Sequence, residues 1–134
     1  MAIEPALTDR HYLGIDVGTS GCRSCLIDAD AQTLAEVRTP LPAPVRNGAA
    51  VEQDAEIWWM ALGENLDQLS SQHGLSAVAA MTLDGTSATL LCCGKDGIPS
   101  GPALMYNDAR ATKQAQHVAG LAPSDCAAHG PSAS

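Results

Sequence analysis

The segment Tyr12-Leu13-Gly14-Ile15-Asp16-Val17-Gly18-Thr19-Ser20-Gly21-Cys22-Arg23 constrains the fold more than any other part of the chain. It reads as strand, tight turn, strand. Tyr12, Leu13, Ile15 and Val17 make an apolar run of strand length, Gly18 to Gly21 reverses the chain, and Cys22 to Ile27 forms the return. Glycines flank Thr19 and Ser20, so the backbone is expected to curl without Cβ clashes and to aim successive N–H groups and two hydroxyls at one spot, a nest for phosphate oxygens.

Asp16 sits just before that nest. A carboxylate there would repel a bare phosphate, but it suits a hydrated Mg²⁺ bridging to a nucleotide, because Mg²⁺ favours one or two carboxylates with waters and phosphates. A plain hairpin is the competing reading, since Gly-x-x-Gly alone specifies no ligand. The grouping of an acid, two hydroxyls and Arg23 weighs against it. Neither the Gly-Lys-Ser/Thr of a P-loop nor a Rossmann Gly-x-Gly-x-x-Gly occurs in the chain.

With 134 residues the chain holds one domain with a real core, which must be aliphatic because there is no Phe. A formal charge of −8 argues against nucleic acid or an anionic membrane as partner, since both need a basic patch. No apolar run reaches the length of a membrane span, and Met1 to Arg10 lacks the character of a signal peptide, which points to the cytoplasm. The five cysteines are read as reduced thiols packing as small hydrophobes. Cys22-x-x-Cys25 falls on a strand, where residues three apart face opposite sides, and adjacent Cys92 and Cys93 fail as a pair for the same reason. His11, His73, His117 and His129 show no ligand spacing.

In chain order, a frayed lead over residues 1–10 precedes the first strand. A third strand, Thr33 to Leu41, follows the turn Asp28-Ala29-Asp30 and completes an antiparallel meander. Pro40, Pro42 and Pro44 make Pro40 to Ala50 a surface loop. Trp58, Leu62, Leu66 and Leu69 then form the stripe of an amphipathic helix, capped by Asp54 and stopped by Gly74. Trp58 and Trp59 diverge by about 100° on that helix, which favours packing for Trp58 and a partly exposed position for Trp59. Val78 to Leu83 reads as a strand covered on both faces, returning from a crossover and parallel to the first. It runs into Asp84-Gly85-Thr86-Ser87. Ligands gather beyond the carboxyl ends of parallel strands, so this cluster and the Asp16 turn are expected to meet across one cleft, although Thr86 and Ser87 alone are ordinary turn formers. Ala88 to Cys93 and Ile98 to Met105 flank a hairpin turn at Gly94-Lys95-Asp96-Gly97. Tyr106-Asn107-Asp108-Ala109-Arg110 precedes a helix to about Val118, with Asn107 or Asp108 available as its cap. Gly120 to Ser134 has no periodic pattern and looks cut off.

Asp16-x-Gly18-Thr19-Ser20-x-x-Arg23 resembles the first phosphate motif of the actin, hexokinase and sugar-kinase superfamily. Together with Val51-Glu52-Gln53-Asp54 before Trp58-Trp59, Asp84-Gly85-Thr86-Ser87-Ala88-Thr89-Leu90-Leu91, and Leu104-Met105-Tyr106-Asn107-Asp108-Ala109-Arg110, it resembles the ordered landmarks of the amino-terminal domain of FGGY carbohydrate kinases. The Asp-Gly-Thr-Ser variant and the Tyr-Asn-Asp box look most similar to the D-ribulokinase branch, with xylulokinase-like members sharing much of the frame. The xylulokinase-type Gln-Met-His-Gly is absent.

The resemblance implies an α/β chain with the ribonuclease-H-like domain of the actin-like ATPase fold: a three-strand antiparallel meander, a crossover helix and a parallel strand. It implies transfer of the ATP γ-phosphoryl group to a sugar hydroxyl, with a pentulose such as D-ribulose as acceptor. Asp16 would organise Mg²⁺, Gly18, Thr19 and Ser20 would hold phosphate, and Arg23 would support that turn. Thr86, Ser87, Asn107 and Asp108 would line the sugar pocket. On this view residues 11–134 are part of the amino-terminal domain, and the rest of it and a second domain are missing. The general base, an aspartate in this family, would lie downstream of Ser134, so the isolated chain is expected to be inactive. A homodimer is left open. Two other readings stay beside this one: a different actin-fold phosphotransferase or ATPase, and a domain that binds phosphate or sugar without turnover.

Overall fold

Residues 10–123 and 125–126 are described by the structure, a computed structural model. The lead expected over 1–10, apart from Arg10, and residues 124 and 127–134 of the expected tail, His129 included, lie outside the described residues. Strands β1 (His11–Val17), β2 (Gly21–Ile27) and β3 (Thr33–Pro40) form the expected antiparallel meander. Next come β4 (Val45–Asn47), β5 (Ala50–Gln53), helix α1 (Ala55–His73), β6 (Val78–Gly85), β7 (Ala103–Leu104) and helix α2 (Thr112–Leu121). As anticipated, β6 returns parallel to β1, and the main sheet has the order β3-β2-β1-β6.

Period-two alternation decides which side of that sheet becomes the core. Leu13 pairs with Leu26, Ile15 with Ser24, and Ser24 with Val37, so these side chains share one face; Leu13, Ile15, Leu26 and Val37 are buried there with Cys22. Helix α1 covers this face over β2 and β3. Its start and end follow the sequence signals: the Asp54 carboxylate accepts from the Glu56 N–H at 3.0 Å, and Gly74 at φ 69° ends the helix. The deepest line is Ala61, Asn65 and Leu69, with Leu62 and Leu66 packed alongside. Asn65 was not expected in the core. Its Nδ2 donates to the Cys22 carbonyl at 3.2 Å and to Thr39 Oγ1 at 3.4 Å, bonding the helix to the sheet.

Four expectations are corrected. Residues Pro40 to Ala50 are not one loop: after the prolines, Val45–Asn47 pairs with Ala50–Gln53 through a turn at Gly48, φ 60°, and β7 adds to β5 to give a second sheet, β4-β5-β7. Strand β6 is not covered on both faces. It is the edge of its sheet and exposed from Ala79 onward, because α1 lies over β2 and β3 rather than over β6. The flanks of the Gly94–Gly97 turn form bridges at Leu90↔Leu104 and Cys93↔Pro99 rather than long strands, although the turn itself closes with a Gly94 N–H to Ile98 carbonyl bond of 2.8 Å. Among the cysteines, all free, Cys22 is buried and Cys25 half-buried, but Cys92, Cys93 and Cys126 are exposed in irregular segments with no core to enter.

Candidate functional site

The parallel pairing of β1 with β6 sets Asp16 opposite Asp84 and Val17 opposite Gly85, so the two polar loops leave the sheet side by side. They meet where the sequence places them: Thr19 Oγ1 and Thr86 Oγ1 are 3.4 Å apart. The Gly18–Gly21 turn is closed by a Gly18 N–H to Gly21 carbonyl bond of 3.0 Å, and the Ser20 carbonyl accepts from the Leu41 N–H at 3.1 Å. Neither turn glycine takes a positive φ. Gly21 is required for another reason, since a Cβ there would sit 3.0 Å from the Thr39 carbonyl oxygen on β3. At Gly18 a Cβ would stand 3.7 Å from the Asp16 carboxylate, so the glycine leaves space beside that acid.

Arg23 lies on β2 directly opposite Asp16, and its Nη1 is 3.6 Å from Asp16 Oδ2, with both side chains about half exposed. Its contact is with the carboxylate and not with the turn backbone. Asp84, which sequence reasoning left out of the site, lies across from Asp16 in the parallel pair; its Oδ1 accepts from the Gly85 N–H at 2.8 Å. Burial first, and the Asp16 charge second, push the Cys22 thiol up, which keeps it protonated behind the turn. Among the described residues no three His, Cys, Asp or Glu side chains cluster around one point, so these residues build no protein cage for a metal. A single open carboxylate with room beside it fits a hydrated Mg²⁺ that takes its other ligands from water and phosphate.

The Tyr106–Arg110 segment is built differently from its neighbours. Asp108 Oδ2 accepts from the Val51 N–H at 2.8 Å, and Arg110 grips both carboxylate oxygens, at 2.8 Å through Nη2 and 3.0–3.1 Å through Nε. The same Nη2 is 2.7 Å from Glu52 Oε1. Two backbone bonds of 2.9 Å, Met105 N–H to the Val51 carbonyl and Ala109 N–H to the Ala49 carbonyl, complete the seam with the β4–β5 hairpin. The Arg110 guanidinium, then the Val51 N–H, hold the Asp108 carboxyl far below the usual carboxylate range, and Asp108 with Glu52 raises Arg110 in return. Neither Asn107 nor Asp108 caps α2; Thr112 Oγ1 instead donates to the Ala109 carbonyl at 2.7 Å. Ser87 and Asn107 are exposed and their side chains make no hydrogen bond among the described residues.

A cleft of about 310 Å³ opens between the two loops, lined by Thr19, Trp58, Asp84, Thr86, Thr89 and Met105. Ser87, Asn107 and Asp108 are not among its lining residues. Trp58 is half-buried, as packing requires, yet it also forms a wall of this cleft; its Nε1–H donates to Gln53 Oε1 at 2.9 Å, and buried Gln53 is held by the Pro42 carbonyl at 2.8 Å. Trp59 is 70% exposed. A larger groove of about 670 Å³ lies over Gly14, Asp16, Arg23, Cys25, Glu36 and Arg38; it shares Asp16 and Arg23 with the site but takes nothing from the Thr86 loop. Among the described residues no helix is long and apolar enough to cross a membrane.

Comparison with known proteins agrees with this arrangement. Residues 11–124 match the FGGY family of carbohydrate kinases, N-terminal domain. The xylulose kinase of Escherichia coli (strain K12) is 32% identical over 105 residues, 77% of this chain and 21% of the relative. Among solved structures, a xyloylose kinase from Brucella ovis superposes with a TM-score of 0.79 at 24% identity, covering 84% of this chain and 24% of that one. The xylulose kinase from Rhodospirillum rubrum gives 0.77 at 19%, covering 87% and 24%. These likenesses show the fold, the actin-like ATPase fold of sugar kinases. The chain spans about a fifth of the length of the curated relatives it matches. With its strand order, its two facing loops and a family match over nearly all its described residues, the chain belongs to the FGGY family of carbohydrate kinases.

Proposed function

We propose that this chain is the front part of an ATP-dependent sugar kinase that transfers the γ-phosphoryl group to a hydroxyl of a pentulose. The observation that carries the reading is the 3.4 Å approach of Thr19 to Thr86, which brings the phosphate-type turn and the acceptor-side loop to one cleft. Phosphoryl transfer asks the protein for positioning and charge neutralisation more than for covalent chemistry. Asp16 is the residue to hold hydrated Mg²⁺, which supplies the neutralising charge when bound, with Arg23 restraining the carboxylate from the neighbouring strand. Gly18, Thr19 and Ser20 present the turn to phosphate oxygens. Thr86 stands on the acceptor side of that cleft; Ser87 and Asn107, exposed and outside its lining, are the side chains proposed to reach the sugar, and Asp108 serves them through the seam that fixes their neighbouring segment.

On this reading residues 11–134 belong to an amino-terminal domain, and the general base and most of the nucleotide site come from sequence of the kind found in the roughly four-fifths of the relatives that the match does not cover. Relatives named xylulose kinases favour a pentulose, while Asp84-Gly85-Thr86-Ser87 in place of Gln-Met-His-Gly favours D-ribulose over D-xylulose. The reduced thiols suit a cytoplasmic enzyme. The test is a coupled ATPase assay of the full-length protein with D-ribulose, D-xylulose and glycerol: pentulose-dependent turnover is expected, fastest with D-ribulose. The 134-residue chain alone should show none. Absence of turnover with every sugar in the full-length protein overturns the reading.

A further inference from the structure

One row of charged residues crosses the main sheet near the phosphate-type turn. Register places Arg38 on β3 directly opposite Arg23 on β2, Arg23 opposite Asp16 on β1, and Asp16 opposite Asp84 on β6. Residues opposite one another in a sheet project from one face, and here it is the face turned away from α1, because the neighbouring Ile15, Ser24 and Val37 are buried on the other. The row reads base, base, acid, acid. Arg23 Nη1 reaches Asp16 Oδ2 at 3.6 Å, whereas the exposed Arg38 side chain has no hydrogen bond or ion pair among the described residues. Glu36, two residues along β3 on the same face, pairs with neither guanidinium. Like charges directly opposite in a sheet repel, a penalty that a bound anion removes. Arg38 also reaches the turn: a Cβ on Gly21, its last residue, would stand 3.7 Å from Arg38 Nε.

We infer that Arg38 is a nucleotide-binding residue, its guanidinium taking oxygens of the ATP phosphate chain beside the Gly18–Gly21 turn. The inference rests on the kinase reading above and adds a residue to which the motif resemblance gives no role. Arg23 is already tied to Asp16, so Arg38 is the guanidinium of the row left for phosphate. Its planar fork of N–H donors matches two phosphate oxygens at once. Asp16, Arg23 and Arg38 line one open groove of about 670 Å³, room enough for a phosphate chain beside the carboxylate.

The test, in the full-length protein, separates phosphate contact from a solvated charge on an edge strand. Arg38→Gln should raise the ATP KM about tenfold with the sugar KM unchanged, the scale of losing one charged hydrogen-bonding group. In calorimetric titrations with Mg²⁺ present, ADP should bind that variant about tenfold more weakly, while adenosine, which carries no phosphate, binds both proteins alike. Arg38→Lys, which keeps the charge and loses the fork, should fall between the two. Without nucleotide the melting temperature of Arg38→Gln should stay level or rise, because Arg23 loses a like-charged neighbour. An unchanged ADP affinity, or an equal loss for ADP and adenosine, overturns the inference. The titration does not depend on turnover: a wild type that phosphorylates no sugar overturns the kinase reading, while a loss confined to ADP in Arg38→Gln still supports Arg38.

Discussion

Thr19 and Thr86 stand 67 residues apart in the chain, yet their hydroxyl oxygens approach to 3.4 Å. The contact follows from register: once Val17 on β1 is paired with Gly85 on β6, the residues just beyond each strand end have to be neighbours. A bond of that length is weak, so its value lies in geometry. Each hydroxyl should therefore serve its own half of the reaction while remaining coupled to the other. Thr19→Val in the full-length protein is expected to raise the ATP KM, Thr86→Val the sugar KM, and the double variant to lose less than the summed effects on kcat/KM. Strict additivity across that cycle would show that the two loops act independently.

At Asp16 charge and fold can be separated. The carboxylate is about half exposed and its ion pair with Arg23 is long, so the fold gains little from it. Asp16→Asn should leave the melting temperature within a degree or so while lowering kcat by about 100-fold or more, the scale of losing a charge-stabilising group in a water-poor site. Near-normal turnover in this variant would remove Asp16 from the Mg²⁺ site.

The two glycines of the turn are not equivalent. A Cβ on Gly21 would meet the Thr39 carbonyl at 3.0 Å, a backbone atom of the neighbouring strand that cannot swing aside. Gly21→Ala should cost about 1–3 kcal/mol of stability, the range for overpacking. Gly18→Ala meets its neighbours at ordinary distances, 3.5 Å and beyond, and should fold normally while crowding Asp16. Urea melts of both variants check this; equal stabilities would contradict the close β2–β3 approach.

What the sequence made legible was local or periodic. The alternation of Leu13, Ile15 and Val17, the Asp54 cap and the Gly74 stop each act within a turn or a strand, and each forms as read. The meeting of Thr19 with Thr86 was legible too, because a parallel return strand leaves the loops no other place. The hairpin at Val45–Gln53 was not: its strands are short, prolines precede them, and β5 gains its second neighbour only from Ala103–Leu104. Burial of Asn65 depends on a carbonyl 43 residues away, and the seam at Asp108 on an N–H 57 residues away. The glycine spacing suggested conformational freedom where the structure uses it for close approach. Glu52 and Arg110 lay inside recognisable motifs, but only folding shows that one guanidinium joins Glu52 to Asp108.

That guanidinium gives the last prediction, which divides Asp108 from Ser87. Asp108 is nearly enclosed, with its side chain 8% exposed, and its oxygens serve the Val51 N–H and Arg110. Asp108→Ala would leave the Val51 N–H unpaired and Arg110 held by Glu52 alone, so the melting temperature should fall by several degrees, and Arg110→Ala should lower it in the same direction. Because the folded carboxyl titrates below the unfolded one, the Asp108 contribution is fully present above the unfolded value of about 3.9 and is lost as pH falls toward the folded one. The gap in stability between wild type and Asp108→Asn should thus be constant from neutral pH down to about 5 and narrow only in stronger acid. Ser87 makes no side-chain bond among the described residues, so Ser87→Ala should melt like the wild type and show its effect in the sugar KM alone. A melting temperature unchanged in Asp108→Ala would dissolve the seam, and a sugar KM unchanged in Ser87→Ala would take that hydroxyl out of the acceptor site.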